Sequence, residues 1–366
     1  MIQSKKIAIL TGGGDCPGIN AVIRAVTKKA IIESDMEVIG FEDGYHGLVN
    51  NRYRVLAYDD VSGILTLGGT ILGTSKIANP YKYAIKQNEK VKFLDMSKSA
   101  IENIRTNNID CLVIIGGDGT LGIASRLFQD NIPIIGIPKT IDNDIKETET
   151  TFGFDTAVQI ATDGIDRLHT TAQSHHRIMI VEVMGHNAGW IALHSGVASG
   201  GDIILIPEIP YDIDLVGNVV SKRNNKGKRS SIIVVAEGVK PKGGEAVIRK
   251  LVKESLDPVR LGGVGFVLGD QIEKLTGLET RTVVMGHLLR GGTPTAYDRV
   301  LATQLGTEAV SMIQQNRFGY MVGIKNGALI QVPLEKVAKG PRTVPHSHSL
   351  LIAARSVGTF FGDECH

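Results

Sequence analysis

Short apolar runs recur along the chain, and each is followed by a glycine-rich turn and a segment with helical periodicity. Residues 6–10 (KIAIL) and 111–115 (CLVII) are two such runs. Uninterrupted apolar runs of this length are typical of strands that are buried on both faces of a parallel sheet. The repeated order of strand, turn and helix predicts an α/β fold with two doubly wound, mainly parallel-sheet, Rossmann-like lobes and the active site in the cleft between them.

The same pattern predicts further strands and several helices. Apolar residues at helical spacing predict helices over residues 94–107 and 155–172, and a short helix is expected over residues 60–65. Further apolar runs predict strands at residues 38–41, 132–137, 178–183, 203–208, 232–238 and 282–287. Open α/β sheets bind ligands beyond the carboxyl ends of their strands, so the loops after these runs are where we expect the chemistry.

Length, charge and cysteine content narrow the class of protein. At 366 residues the chain is longer than a domain with a single hydrophobic core usually is, which favours two lobes. A net charge of +2 without a concentrated basic face disfavours nucleic-acid and membrane-surface binding. No apolar span reaches the length of a membrane helix, and residues 1–6 lead directly into a strand, so no signal peptide is expected. Cys16, Cys111 and Cys365 lack metal-ligand spacing, and we expect free thiols in the cytoplasm.

The segment PKTIDND at residues 138–144 places polar side chains directly after a predicted strand. It supplies a cation at Lys139, a hydroxyl at Thr140 and carboxylates at Asp142 and Asp144. In an extended conformation the two carboxylates point the same way. They would then suit either a metal-linked carboxylate beside a base, or a like-charge pair in which one pKa is raised. The alternative is a solvated polar loop closed by an Asx turn.

Three glycine-rich turns are candidates for phosphate binding. The turn at residues 11–18 (TGGGDCPG) joins a strand to a helix and aims backbone N–H groups at an anion, although its spacing is neither the dinucleotide nor the Walker motif. GGDGT at residues 116–120 sets Asp118 between glycines, where it would hold a divalent cation or merely cap the next helix. The turn at residues 67–76 is equally consistent with a second phosphate cradle and with a flexible connector.

Six motifs, in order along nearly the whole chain, resemble those of the 6-phosphofructokinase family. They are GGDCPGIN at 13–20, GGDGT at 116–120, PKTIDND at 138–144, MGHNAGW at 184–190, AEG at 236–238 and GHLLRGG at 286–292. The resemblance points to the bacterial type, in a clade that mixes ATP-using and pyrophosphate-using members. GGDGT alone is less specific, because NAD kinases and diacylglycerol kinases carry similar strings, but the other ordered motifs disfavour those kinases.

The resemblance implies phosphoryl transfer from ATP to the 1-hydroxyl of D-fructose 6-phosphate, the glycolytic step that gives fructose 1,6-bisphosphate. It implies that Asp142 is the base and that Thr140 assists it, with Gly14 also in the catalytic set. Asp118 is expected to bind Mg²⁺, and Asp144 is expected to support the metal through water. A protein that binds the sugar phosphate without catalysis is the remoter alternative, which retention of all three aspartates disfavours.

The resemblance also implies two binding sites and the lobes that carry them. The donor site comprises Gly13, Gly14, Lys76, Gly117, Asp118, Gly119 and Thr120. The sugar phosphate site in the same subunit comprises Thr140, Ile141, Asp142, Met184, Gly185, His186, Glu237, Arg281, His287 and Arg290. Residues 1–153 with about 289–345 would form the donor lobe, and residues 154–288 with about 346–366 the fructose 6-phosphate lobe. Arg177 matches an arginine that reaches a neighbouring subunit's site, so a homodimer or homotetramer is expected.

Two positions bear on the phosphoryl donor. In the family, pyrophosphate-using members usually have Asp after the metal aspartate and Lys before Thr-Ile-Asp, whereas ATP-using bacterial members usually have Gly at both. This chain has Gly119 and Lys139, a mixed pair. Glycine leaves room for a nucleotide α-phosphate that an aspartate would repel, and the lysine can swing aside. We therefore expect ATP, with pyrophosphate as the alternative.

Two site residues depart from the family's usual arginine. His186 replaces it in the Met-Gly-Arg motif, so sugar phosphate binding is expected to weaken as pH rises and the imidazole loses its charge. Lys76 replaces an arginine near the transferred group. The lysine keeps the positive charge but cannot form the paired hydrogen bonds that a planar guanidinium makes to a phosphate. Both changes affect how the acceptor is bound more than which reaction is expected.

Overall fold

The computed structural model describes residues 5–87, 90–251, 259–337 and 340–364, and it confirms the α/β fold. Cys365 lies outside the described residues. The strands are β1 (Lys6–Thr11), β2 (Glu37–Phe41), β3 (Tyr53–Val55), β4 (Tyr83–Gln87), β5 (Lys90–Leu94), β6 (Cys111–Gly116), β7 (Ile134–Pro138), β8 (Ile178–Val183), β9 (Ile203–Leu205), β10 (Ser231–Ala236), β11 (Ile248–Leu251), β12 (Val259–Leu261), β13 (Thr280–Val284), β14 (Tyr320–Lys325) and β15 (Ala328–Pro333). The helices are α1 (Ile19–Ser34), α2 (Tyr45–Val49), α3 (Ser97–Thr106), α4 (Asp118–Gln129), α5 (Phe154–His175), α6 (Trp190–Ala198), α7 (Ile213–Asn225), α8 (Val264–Thr276), α9 (Ala296–Gln314), α10 (Leu334–Val337) and α11 (Ser349–Ser356).

The larger sheet has the strand order β15-β14-β7-β6-β1-β2-β3 within the described ranges. β1 pairs in parallel with β2 on one side and with β6 on the other, and β6 pairs in parallel with β7. The chain first moves from β1 to β2 and later continues from β6 to β7 on the opposite side, so the strand order reverses at β1. Open α/β sheets bind ligands beyond the strand ends at such a reversal. The loops after β1, β6 and β7 therefore share one edge of the sheet.

The smaller sheet is parallel and has the strand order β13-β8-β10-β9. Its strands β8, β10 and β13 end at Val183, Ala236 and Val284, and the MGHNAGW, AEG and GHLLRGG motifs follow those ends. Because neighbouring parallel strands end at the same edge, these motifs meet in space although about a hundred residues separate the first from the last.

The chain passes between the two sheets more than once. After the smaller sheet it returns through α9 to β14 and β15 of the larger sheet. A Cβ on Gly306 of α9 would lie 2.8 Å from the Cβ of Ala25 in α1, so these two helices pack closely. Near its end the chain comes back to the smaller sheet, where Phe360 forms a parallel bridge with Ile203. Among the described residues, the model has no helix with both the length and the apolar character that a membrane span requires.

Several local predictions are wrong. The helix expected over residues 94–107 begins at Ser97, since Leu94 ends β5, and the strand expected over residues 282–287 ends at Val284, before a 3₁₀ segment at Gly286–Arg290. Residues 60–65 form turns and a 3₁₀ segment at Ile64–Thr66 instead of an α-helix, because Gly63 takes a left-handed conformation with φ of 77°. The strand predicted over residues 203–208 ends at Leu205. Pro207 has no N–H with which to extend the ladder, which accounts for the early end.

Candidate active site

The two sheet edges face one cavity of about 650 Å³. Among the described residues, the larger sheet's loops line it with Gly13, Gly14, Lys76, Gly117, Asp118, Gly119, Thr120, Lys139, Thr140, Asp142 and Asp144. The smaller sheet's loops line it with Met184, His186, Glu237, His287 and Arg290, which the sequence had also singled out. Motifs from both halves of the chain therefore open into a single site.

The loop after β1 is held against its neighbours by backbone hydrogen bonds. Gly12 N donates to Ile115 O over 2.9 Å, and Gly13 N donates to Ser75 O over 3.2 Å. Gly13 has φ of 83°, which favours glycine. A Cβ on Gly14 would collide with the Arg290 guanidinium and lie 3.2 Å from Lys76 Cε. Two cations, Lys76 and Arg290, thus crowd a backbone that has no room for a side chain.

The loop after β6 runs directly into helix α4. Asp118 is the first residue of that helix, and Gly119 N donates to its Oδ1 over 2.6 Å. A Cβ on Gly119 would have no neighbour within 4 Å, so this position borders open space in the cavity. Negative charge, including that of a phosphate, is stabilised at a helix N-terminus. Asp118 and a bound phosphate would therefore occupy the same end of α4.

The loop after β7 carries Thr140, Asp142 and Asp144, and it is not extended as predicted. Asn143 between the two aspartates is left-handed, with φ of 51°, so the chain turns there. Both carboxylates nonetheless line the cavity. Asp142 N donates to Thr140 Oγ1 over 3.0 Å, and Thr140 Oγ1 is 3.4 Å from Asp142 Oδ2. This contact places the threonine hydroxyl directly beside the expected base.

Four carboxylates lie close enough at the cavity to repel one another. Burial, followed by the charges of Asp142 and Asp118, raises the pKa of Asp144 to about 8. Burial and Asp142 together raise the pKa of Glu237 to about 7. The Oδ1 atom of Asp142 is buried without a hydrogen-bond partner among the described residues. A buried, repelling set of oxygen ligands with an unused oxygen is suited to a divalent cation.

The residues present fit Mg²⁺ better than a metal held by the protein alone. In the part of the chain that the structure describes, no group of three or more His, Cys, Asp or Glu residues is arranged to hold a metal. Mg²⁺ commonly uses one or two carboxylates together with substrate phosphates and waters. Asp118 at the start of α4 has that arrangement, and Asp144 is close enough that the charge of Asp118 contributes to its raised pKa.

Two lysines supply positive charge on the same side of the cavity. Burial, with smaller contributions from Arg290, Arg260 and Lys139, lowers the pKa of Lys76 to about 8. Burial also lowers the pKa of Lys139, which is 4% exposed. Of the 67–76 turn, only Lys76 lines the cavity, because Gly68 and Gly73 pack against Gly292 and Asp43. That turn is therefore a packed connector that places one cation, Lys76, at the cavity.

The loops of the smaller sheet complete the opposite wall. His186 N donates to Glu237 Oε1 over 3.1 Å, which ties the loop after β8 to the loop after β10. Arg290 follows β13, and its Nη1 donates to Asp15 O in the loop after β1 over 3.0 Å. The guanidinium of Arg290 therefore reaches across the cleft to the loop that carries Gly14.

Four predicted residues do not line this cavity. Ile141 is buried in the core with no exposed surface, and Gly185 packs against Ala188 O. Arg177 and Arg281 both contact Glu279 instead, Arg177 Nε donating to Glu279 Oε2 over 2.7 Å. Arg281 had been expected to contact sugar phosphate in its own subunit, which this placement corrects. It lies near the start of β13, three residues before Val284, whereas the cavity lies at the strand's other end.

The structure adds cavity residues that sequence reasoning missed. They include Glu182, Asn187, Arg249, Lys250, Arg260 and Pro341. Glu182 reads as part of a buried strand, and it accepts hydrogen bonds of 2.8 Å from Gly263 N and Gly265 N where α8 begins. The basic residues lie on the antiparallel pair β11–β12, where no local signal in the sequence separates a cavity-facing cation from a solvated one.

Comparison with known proteins was made for sequence and for structure. Residues 6–313 match the family model described as Phosphofructokinase. ATP-dependent 6-phosphofructokinase 2 of Clostridium perfringens is 51% identical over 361 residues, covering 98% of this chain and 99% of that protein. Pyrophosphate–fructose 6-phosphate 1-phosphotransferase of Amycolatopsis methanolica is 48% identical over 344 residues, covering 93% and 96%.

Solved structures agree with the sequence matches. The crystal structure of Pichia pastoris phosphofructokinase in the T-state superposes with a TM-score of 0.77 at 32% identity, covering 92% of this chain and 36% of that longer one. A pyrophosphate-dependent phosphofructokinase from Nitrosospira multiformis has the same fold, with a TM-score of 0.80 at 20% identity, covering 99% and 93%. The arrangement of strands, the cavity and these matches lead to one conclusion: the chain belongs to the phosphofructokinase family.

Proposed function

We propose that this protein transfers the terminal phosphoryl group of ATP to the 1-hydroxyl of fructose 6-phosphate, giving fructose 1,6-bisphosphate. The observation that carries the proposal is the shared cavity, in which Asp118 and Gly14 on one wall face Glu237 and His287 on the other, with Asp142 between. Phosphoryl transfer requires mainly that donor and acceptor be positioned and that charge be neutralised. This cavity offers groups for each task.

On the donor side, the backbone of Gly13 and Gly14 and the N-terminus of α4 would hold the phosphate chain. Lys76 and Lys139 would neutralise its charge. Mg²⁺, when bound through Asp118 and indirectly through Asp144, would offset charge on the donor phosphates. The sequence alone assigned most of these roles, and the cavity lining supports them.

On the acceptor side, Asp142 would accept the proton of the sugar's 1-hydroxyl. Thr140 lies beside it and would orient the same hydroxyl or the carboxylate. Met184, His186, Glu237, His287 and Arg290 would contact the sugar phosphate, whose phosphate group needs the cations. Arg290, which spans the cleft, is placed to contact either the sugar phosphate or the transferred group.

ATP is the proposed donor because Gly119 borders open space. A glycine there leaves volume for the α-phosphate and nucleoside, and nothing lies within 4 Å of its Cβ position. Pyrophosphate is the second candidate. It is favoured by the buried ammonium group of Lys139 at the Gly14 loop, and a relative of 48% identity carries the pyrophosphate name.

The lobes and the assembly form part of the proposal. The larger sheet falls within residues 1–153 and 289–345, the proposed donor lobe, and the smaller sheet within residues 154–288, the proposed fructose 6-phosphate lobe. Arg177 lies outside its own cavity and would serve the site of a second copy in a homodimer or homotetramer. Arg281 shares Glu279 with it and would act from the same surface. A cytoplasmic location is proposed, since Cys16 and Cys111 are free thiols.

The test is a rate comparison with ATP and with pyrophosphate at saturating fructose 6-phosphate and Mg²⁺. Faster turnover with ATP is expected. Faster turnover with pyrophosphate would reject ATP as the donor and keep the reaction class. Binding of fructose 6-phosphate without turnover by either donor would reject the enzyme and favour a sugar phosphate sensor.

A further inference from the structure

A segment from the end of the chain crosses the catalytic loop. We call residues 341–344 the strap. Pro341 lines the cavity, and Arg342 N donates to Asp144 O over 2.6 Å. The side chain of Arg342 adds a second contact, because its Nη1 donates to Asn143 O over 3.0 Å. One residue thus holds two successive carbonyl groups of the loop that carries Asp142.

The strap is fixed at its other side to the smaller sheet's lobe. Trp190 Nε1 donates to Arg342 O over 3.1 Å, and the guanidinium carbon lies 4.1 Å from the centre of the indole ring. Val344 N donates to Glu208 Oε1 over 2.8 Å, and Glu208 also accepts from Gly189 N. Trp190 is 2% exposed, so the ring is a rigid support. Arg342 therefore links Trp190, the first residue of α6, to the catalytic loop.

Apart from the buried side chains of Ile141 and Ile145, few contacts hold the catalytic loop at this point. Asn143 is left-handed, a conformation that non-glycine residues keep only when their surroundings support it. Its own side chain contributes a long contact of 3.4 Å from Nδ2 to Glu149 O, and its Oδ1 is buried without a partner among the described residues. The carbonyl group of Asn143 and the next one, that of Asp144, both accept hydrogen bonds from Arg342. Displacing them would move the carboxylates of Asp142 and Asp144.

We propose that Arg342 is a positioning residue, which holds the Asn143–Asp144 backbone so that Asp142 meets the acceptor hydroxyl in register with the donor. The inference rests on the proposed function, since it assigns Arg342 a task in that reaction. Arg342 does not touch the reacting atoms. Its side chain acts through the Asn143 carbonyl group, and its backbone N–H, which the variants below keep, holds the Asp144 carbonyl group. Because its support is Trp190, the position of the base is set by the lobe opposite the donor.

The test compares Arg342→Ala, Arg342→Lys and a matched control, Arg355→Ala. Arg355 also lies over an aromatic ring, 5.1 Å from the centre of Phe361, and donates to Asp363, but it lines no part of the cavity. For Arg342→Ala we expect kcat to fall about 10²-fold, the loss typical of a 1 Å misplacement, with both KM values changed less than about threefold. Added guanidinium, well below denaturing concentrations, should restore part of kcat. Arg355→Ala should keep wild-type kcat, and Arg342→Lys should be intermediate.

Hydrogen exchange gives a second measurement that does not depend on activity. Backbone amides of residues 139–150 should exchange faster in Arg342→Ala than in Arg355→Ala. Wild-type kcat in Arg342→Ala overturns the proposal. So does a loss of kcat that added guanidinium does not rescue, if the amide exchange rates also stay unchanged. If Arg342→Ala does not fold, wild-type kcat in Arg342→Lys overturns it. If the wild type itself turns over neither donor, the proposed function fails, and the exchange comparison still decides whether the strap holds the loop.

Discussion

The ammonium group of Lys139 donates a hydrogen bond to the carbonyl oxygen of Gly14, joining the loop after β7 to the loop after β1. Lys139 is almost fully buried, and its Nζ lies 3.4 Å from where a Cβ on Gly13 would be. In the proposed reaction, a lysine so placed would face the phosphate chain held by the Gly13–Gly14 loop. It would then contact a short donor such as pyrophosphate as well as ATP.

Replacing Lys139 with glycine should separate the two donors. We expect ATP-dependent turnover to persist and any pyrophosphate-dependent turnover to fall about tenfold or more, because a charge-assisted hydrogen bond contributes roughly 1.5–3 kcal/mol. ATP has further contacts through its nucleoside, whereas pyrophosphate depends on the cations at its phosphates. Steady-state rates with each donor provide the measurement. Equal losses with both donors would contradict this division of roles.

Replacing Gly119 with aspartate should shift preference towards pyrophosphate. The new carboxylate would enter the open space beside α4 and repel the α-phosphate, and like-charge contacts cost several kcal/mol, so the ratio of ATP to pyrophosphate rates should drop about tenfold or more. Gly119→Ala is the matched control, since it adds a Cβ without charge and should retain ATP use. An unchanged ratio in Gly119→Asp would mean that ATP does not pass this position.

Replacing Asp142 with asparagine should lower turnover and leave affinity for fructose 6-phosphate nearly unchanged. A general base contributes about 10²–10⁴-fold, and asparagine keeps the size and the Thr140 contact while losing the basic oxygen. The measurement is kcat against KM, together with sugar phosphate binding by calorimetry. Wild-type kcat would reject Asp142 as the base.

Lys76 should impose a pH dependence on the free enzyme. Its pKa is lowered from 10.5 to about 8, chiefly by burial, so the cation is present below that value and lost as pH rises through it. Since kcat/KM reports groups of the free enzyme, we expect it to fall above about pH 8. Lys76→Arg should remain charged and show a flatter profile. The same fall in that variant would assign the titration to another group.

Arg177 should act on the site of a neighbouring copy. Arg177→Ala should raise the KM for fructose 6-phosphate, and Asp142→Asn should reduce kcat, so each variant alone should be poorly active. After dissociation and reassembly together, mixed oligomers would contain sites with both Arg177 and Asp142. Activity above the sum of the separate variants is expected. Strictly additive activity would place Arg177 outside a shared site.

Much of the site could be predicted because its residues follow strand ends. Asp118 comes directly after β6, and Asp142 lies just beyond β7, so an apolar run followed by a polar motif was enough to locate them. The bend at Asn143 was missed, since an alternating polar sequence reads as extended. Arg281 was misplaced because a motif gives no measure of how far along β13 the cavity lies. Arg260 was missed because nothing local distinguishes a cavity-facing arginine from a solvated one.

The sequence by itself determined most of the parallel strands, the glycine turns and the chemical groups at those strand ends, because these depend on side-chain polarity and backbone freedom over a few neighbouring residues. The tertiary structure alone decided which distant groups meet. Arg342 binds Asn143 across 199 positions of sequence, and Arg290 reaches Asp15 across 275. Such contacts follow from how two sheets and their connecting segments pack against each other, and no periodicity within a short window carries that information.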